Sequence, residues 1–124
     1  MPASRPLRGY FAIGAEGISK PMNLGALMRT AHAFGASFFF SVNAARHLRE
    51  THLADTSKSS LHLPWYDWDA VAAMALPKGC SLVGVELTDA AIELPAFRHP
   101  LNAAYVLGRE KGDLSAEMIA RCEH

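Results

Sequence analysis

The stretch KPMNLGALMRTAHAFG, Lys20 to Gly35, gathers four residues that could do chemistry: the amide of Asn23, the bare backbone of Gly25, the guanidinium of Arg29 and the imidazole of His32. At helical spacing Gly25, Arg29 and His32 share one face. Beside it runs an apolar stripe of Leu24, Leu27, Met28, Ala31 and Phe34. Two readings fit. In the first, Asn23 caps a core helix, Gly25 allows tight packing, and Arg29 snorkels to the surface. In the second, the glycine, the charge and the imidazole line a cleft.

A second cluster stands in GREKGDLS, where Gly108 and Gly112 flank Arg109, Glu110 and Lys111. Glycines let a backbone approach a ligand closely. The plain alternative is a surface turn with solvated charges. A third loop, ELTDAA, follows Leu87. TSKSS, Thr56 to Ser60, is a solvated loop or a loop that contacts phosphates.

Several chemistries are disfavoured. Gly14, Gly17 and Gly25 have the wrong spacing for a G-x-G-x-x-G dinucleotide fingerprint, and there is no Walker A pattern. The six histidines show no zinc-ligand spacing. No G-x-S-x-G elbow is present.

The surrounding elements alternate. RGYFAIGA (Arg8–Ala15), SFFFSV (Ser37–Val42), CSLVGVEL (Cys80–Leu87) and AAYVLG (Ala103–Gly108) read as buried strands, the third continuous enough to be covered on both faces. A helix follows the first strand, with Gly35 placed to end it. NAARHLRETHLADTSKSS reads as part helix and part loop. LHLPWYDW carries a short extended piece broken by Pro64. Asp67 or Asp69 can cap a helix over AVAAMAL, stopped by Pro77 and Gly79. Ser115 can cap a last helix, AEMIARC, with Glu117 favourably near its start. Strands alternating with helices imply an α/β domain with a mostly parallel sheet and flanking helices. In such sheets ligands bind beyond the carboxyl ends of the strands, where all three unusual loops stand.

Composition bounds the rest. The 124 residues suit one domain, and 50% are apolar, which argues against disorder. The formal net charge is zero, so bulk charge does not hold this chain to nucleic acid. Two cysteines, Cys80 and Cys122, are too few for a disulfide framework and suggest a reducing, cytoplasmic setting. No apolar run is long enough for a membrane span.

NLGALMRTAHAFGA resembles the first motif of the SPOUT RNA methyltransferases, SpoU/TrmH branch, in which Asn-x-Gly-x-x-x-Arg opens a helix. Asn23, Gly25 and Arg29 match it. YVLGREKGDLS is similar to the second motif, Leu-Gly-x-Glu-x-x-Gly-Leu-Ser. Leu107, Gly108, Glu110, Leu114 and Ser115 match, with the second glycine at Gly112 and Asp113 in its usual place. The resemblance runs from Tyr10 to the end of the chain.

The resemblance implies an α/β-knot fold and S-adenosylmethionine as cofactor. It also implies 2′-O-methylation of ribose in tRNA or rRNA by a homodimer, with no metal and no membrane. It assigns catalysis to Arg29, Asn23 and Glu110. Leu87, Leu107, Gly108, Glu110 and Gly112 would border the cofactor. His32, Arg46, Arg49 and Lys58 are candidate RNA contacts. Arg29 is read as an electrostatic grip rather than a base, because guanidinium keeps its protons in proteins. The third motif, a strand, a Ser-x-Asn loop and a helix, is absent from the sequence. The expectation is therefore one domain over residues 1–124, shortened at its C-terminus, with residues 1–7 flexible and an apolar patch exposed. The alternatives are a non-catalytic RNA-binding or dimerisation module and a nucleotide-binding domain of flavodoxin type.

Overall fold

A computed structural model describes residues 9–48, 63–85, 100–108 and 114–123. The apolar runs form β1 (Tyr10–Glu16), β2 (Phe38–Val42), β3 (Trp65–Trp68), β4 (Ser81–Val85) and β5 (Asn102–Leu107). The helices α1 (Pro21–Ala33) and α2 (Ala116–Arg121) accompany them. All pairings are parallel, in the order β3-β2-β1-β5-β4. Parallel sheets need cover on both faces, and the side-chain alternation supplies two cores.

On one face Ala15 and Phe39 pack with Ile18, Leu24, Ala44 and Leu48, half-buried Ile13, Leu27 and Met28 joining them. On the other, Ala12, Phe38, Phe40, Val42, Leu82, Ala104 and Val106 pack under Val71, Met74, Leu114 and Met118. Phe39 and Phe40 are both fully buried, each stabilising the fold by about 1.5–3 kcal/mol of apolar burial.

The helices that follow β1 and β5 lie on opposite faces of the sheet, since Leu24 of α1 belongs to the first core and Met118 of α2 to the second. Adjacent parallel strands whose outgoing chains diverge leave a crevice at their carboxyl ends. β1 and β5 are such a pair, in register from Tyr10 opposite Asn102 to Ala15 opposite Leu107.

α1 ends as its sequence predicts. Gly35 takes φ +82°, its N–H donates to the His32 carbonyl at 3.1 Å, and the Ala36 N–H donates to the Ala31 carbonyl at 2.9 Å. This paired closure favours a glycine in the left-handed region. Ser115 caps α2, its hydroxyl accepting from the Met118 N–H at 3.1 Å, with Glu117 in the first turn.

Three expectations are corrected. The helix over AVAAMAL is one 3₁₀ turn, Val71–Ala73, and neither Asp67 nor Asp69 caps it: its N-cap is Ala70, and Asp67 lies inside β3. Arg121 donates to the Val71 and Met74 carbonyls at 2.8 and 3.2 Å, replacing the bonds a longer helix would have made, and Pro77 turns Leu76 away from helical geometry. Asn23 does not cap α1. The N-cap is Lys20, without a side-chain bond, and Pro21 opens the helix, where its missing N–H has no intrahelical partner to lose. Phe34 leaves the buried stripe because it is the C-cap, past the last helical residue, and is 75% exposed. In β4 the consecutive residues Leu82 and Val83, which face opposite sides of the sheet, are both buried, while Ser81, Gly84 and Val85 are half-buried and β4 ends the sheet among the described residues.

Among the described residues no helix is long and apolar enough to cross a membrane. Residues 1–7 lie outside the described residues.

Candidate functional site

The crevice at the carboxyl ends of β1 and β5 opens into a cleft of about 310 Å³, lined by Ala15, Ile18, Asn23, Ala26, Leu27, Thr30, Leu107 and Gly108. Its walls are mainly apolar, with the Asn23 amide, the Thr30 hydroxyl and the bare backbone of Gly108 as polar features. This volume stands at the lower end of small-molecule sites. Asn23, Leu107 and Gly108, which the sequence assigns to two separate motifs, line one wall system.

The structure divides the first motif. Asn23, Ala26, Leu27 and Thr30 recur at helical spacing and turn one shoulder of α1 to the cleft. At about 100° per residue, Gly25, Arg29 and His32 centre roughly 140° away around the helix. They occupy the shoulder facing away from β5, where Arg29 and His32 are exposed. The Arg29 guanidinium folds back along α1: its Nη1 lies 3.3 Å from where a Cβ on Gly25 would stand, and Cζ 4.0 Å. Gly25 thus makes room for Arg29.

His32 is also distant along the axis. Nine residues separate it from Asn23, about 14 Å of helix rise, so it sits toward the amino ends of the strands. Arg46 is exposed, just after β2, at the carboxyl ends. The two candidate RNA contacts thus stand at opposite ends of the sheet. Leu87, Glu110, Gly112, Arg49 and Lys58 lie outside the described residues.

One residue at this site was not singled out from the sequence. Glu16, the last residue of β1, is buried, with 3% of its surface exposed. Its carboxylate accepts the Ser115 N–H at 2.8 Å through Oε1 and the Ser115 hydroxyl at 2.5 Å through Oε2. The available signal was a charged residue closing an apolar strand, immediately before Gly17, which takes φ +71°.

Further polar and apolar features surround the site. Ser41, fully buried on the α1 face, donates to Asp67 Oδ1 at 2.7 Å and accepts from Trp65 Nε1 at 2.8 Å, joining β2 to β3. Beside the cleft, Phe11, Ile13, Val85, Leu101, Tyr105 and Leu107 line an open apolar groove of about 720 Å³. Burial raises the Tyr105 phenol above its ordinary 10.0. Across the sheet, burial raises the Cys80 thiol above 9.0, the neighbouring Tyr10 hydroxyl opposing this in part and the Glu123 charge adding to it. Among the described residues no group of three or more metal-ligating side chains occurs.

No curated protein matches the chain. Solved structures do. An rRNA methyltransferase from Sinorhizobium meliloti superposes with a TM-score of 0.70 at 20% identity, covering 94% of this chain and 46% of that one. The SpoU methyltransferase AviRb from Streptomyces viridochromogenes, solved with the cofactor AdoMet, gives 0.73 at 19% identity, covering 100% and 53%. This chain therefore spans about half the length of those structures, and likeness at such identity speaks to the fold. The sequence model of the SpoU rRNA methylase family matches residues 10–124, and the chain belongs to that family.

Proposed function

We propose that this chain is the methyl-transferring part of an S-adenosylmethionine-dependent RNA methyltransferase that modifies a ribose 2′-hydroxyl in cytoplasmic tRNA or rRNA. The observation that carries this reading is the convergence of Asn23 with Leu107 and Gly108 on one cleft at the carboxyl ends of β1 and β5. The donor set suits the cofactor. Leu27, Leu107 and Ile18 offer apolar surface to a purine, and Gly108 leaves its backbone accessible. When bound, S-adenosylmethionine supplies an activated methyl group. AviRb was solved with that cofactor.

The chain's own residues then have distinct tasks. The Asn23 amide orients the 2′-hydroxyl at the cleft mouth. Arg29 keeps its proton and acts as a grip on a phosphate near the target ribose, favouring negative charge on the 2′-oxygen. Its place on the far shoulder of α1 fits work on a cleft contributed by a second copy of the chain, so the active species is a homodimer. Glu110 completes the catalytic group, and Leu87 and Gly112 border the cofactor. Arg46, Arg49, Lys58 and His32 contact RNA.

The test is methyl transfer from labelled S-adenosylmethionine to tRNA and rRNA, with calorimetric titration of the cofactor. Arg29→Ala should abolish transfer and leave cofactor affinity near that of the parent. Full activity in Arg29→Ala would remove the role given to it. A non-catalytic RNA-binding or dimerisation module is the second reading, favoured by the small volume of the described cleft. A folded chain that binds RNA and no S-adenosylmethionine would establish it.

A further inference from the structure

Two buried polar or charged side chains stand out among the described residues, Ser41 and Glu16. Ser41 is explained by its bonds within the sheet. Glu16 asks for more. A buried carboxylate is costly unless its oxygens are satisfied, and an apolar residue would end β1 without that cost. Both Glu16 oxygens are engaged by one residue, Ser115, which stands 99 positions away in sequence. Ser115 in turn caps α2 through the Met118 N–H. The contact therefore ties the end of β1 to the start of α2, two segments that leave the sheet on opposite faces.

The two ends of this tie flank the cleft. Glu16 stands seven residues before Asn23, and Ser115 seven after Gly108. Ala15 and Leu107, both cleft residues, are register partners on β1 and β5. Fixing Ser115 against Glu16 fixes the chain on both sides of the crevice, at the point where the sheet alone stops constraining it. We propose that Glu16 is a positioning residue: through Ser115 it sets the separation of the cleft walls that carry Asn23 and Gly108, and so the affinity of the cleft for its small-molecule ligand. The ligand's identity rests on the function proposed above; the tie itself does not.

The experiment compares the parent chain with Glu16→Ala, Glu16→Gln, Ser115→Ala and the double alanine variant. Calorimetry reads S-adenosylmethionine affinity, amide hydrogen exchange reads Ser115 and Met118, and thermal melting reads the global fold. Glu16→Ala should weaken the cofactor at least about tenfold, a change of about 1.4 kcal/mol, and speed exchange at Ser115 and Met118. The double variant should be no worse than the poorer single one, because both remove one interaction. Glu16→Gln should recover most of the affinity, its carbonyl accepting the Ser115 N–H and its amide donating to the Ser115 hydroxyl. Additive losses, or a glutamine variant as poor as the alanine one, would overturn the proposal. If the parent binds no S-adenosylmethionine, the proposed function fails and the exchange data still judge the tie: unchanged protection at Ser115 and Met118 in Glu16→Ala refutes it. Should Glu16→Ala not fold, Glu16→Gln and Ser115→Ala decide by the same readings.

Discussion

Gly25→Ala tests whether the first motif is built for stability or for Arg29. Gly25 lies within α1, four residues past its start at Pro21. In a helix interior alanine is more stable than glycine by about 0.8–1.0 kcal/mol. Outside the helix's own backbone, the added methyl has two neighbours within 4 Å among the described residues, Arg29 Nη1 at 3.3 Å and Cζ at 4.0 Å, the far end of a flexible side chain. That end yields by a few tenths of an ångström, so most of the helix gain survives. The expected result is stabilisation by about 0.5–1 kcal/mol, a rise in Tm of about 2–5 °C for a domain of this size. The guanidinium, however, is pushed off the helix surface. Displacements near 1 Å in catalytic geometry cost up to about 100-fold in rate, so a smaller shift should lower methyl transfer by about tenfold. Cofactor affinity should stay put, since the cleft is on the other shoulder. Thermal melting, calorimetry and labelled-methyl transfer read the three quantities on one preparation. A loss of stability would refute the packing argument. A gain in stability with full activity would refute the link between Gly25 and Arg29.

Other substitutions probe the remaining walls. A Cβ on Gly14 would stand 2.3 Å from the Phe40 ring, so Gly14→Ala should destabilise the chain by about 1–3 kcal/mol through overpacking, seen as a lower urea midpoint; an unchanged midpoint would show that the ring relocates freely. Asn23→Ala removes a polar group from the cleft and should reduce methyl transfer by about tenfold or more with little change in melting, because Asn23 is exposed and is not the cap of α1. Cys80, its thiol held above 9.0 chiefly by burial, should be less than half thiolate at pH 9. Its alkylation, followed by mass spectrometry, should be slower than that of an unhindered thiol and still rise through pH 9; a rate that levels off below pH 9 would contradict the raised value.

The strands and α1 were legible because their signals are local. Continuous apolar runs specify buried parallel strands, and the spacing of Leu24, Leu27, Met28 and Ala31 specifies the helix face that meets the sheet. Gly35 and Ser115 marked two helix ends because a left-handed closure and an N-cap each depend on one residue's chemistry. AVAAMAL misled for the complementary reason. Its composition favours a helix, but the Arg121 side chain, 50 residues away from Val71, takes up the carbonyls instead.

The site itself divides along the same line. Helical phase alone separates Asn23 from Arg29, and that separation can be computed from the sequence once it is asked. Which shoulder meets the cleft cannot, because it depends on β5 lying beside β1 rather than at the sheet edge. Glu16 illustrates the limit most clearly. In sequence it stands just past the apolar run Arg8–Ala15, at the head of the turn-rich EGISKP, the usual sign of chain reaching water. In the fold it is buried because a strand paired from the other end of the chain brings Ser115 to it. A buried carboxylate with both oxygens used by one distant residue has no pattern of its own at either position. Its meaning lies in the pairing, and a coupling between Glu16 and Ser115 in cofactor affinity is therefore the measurement on which the architecture of this cleft turns.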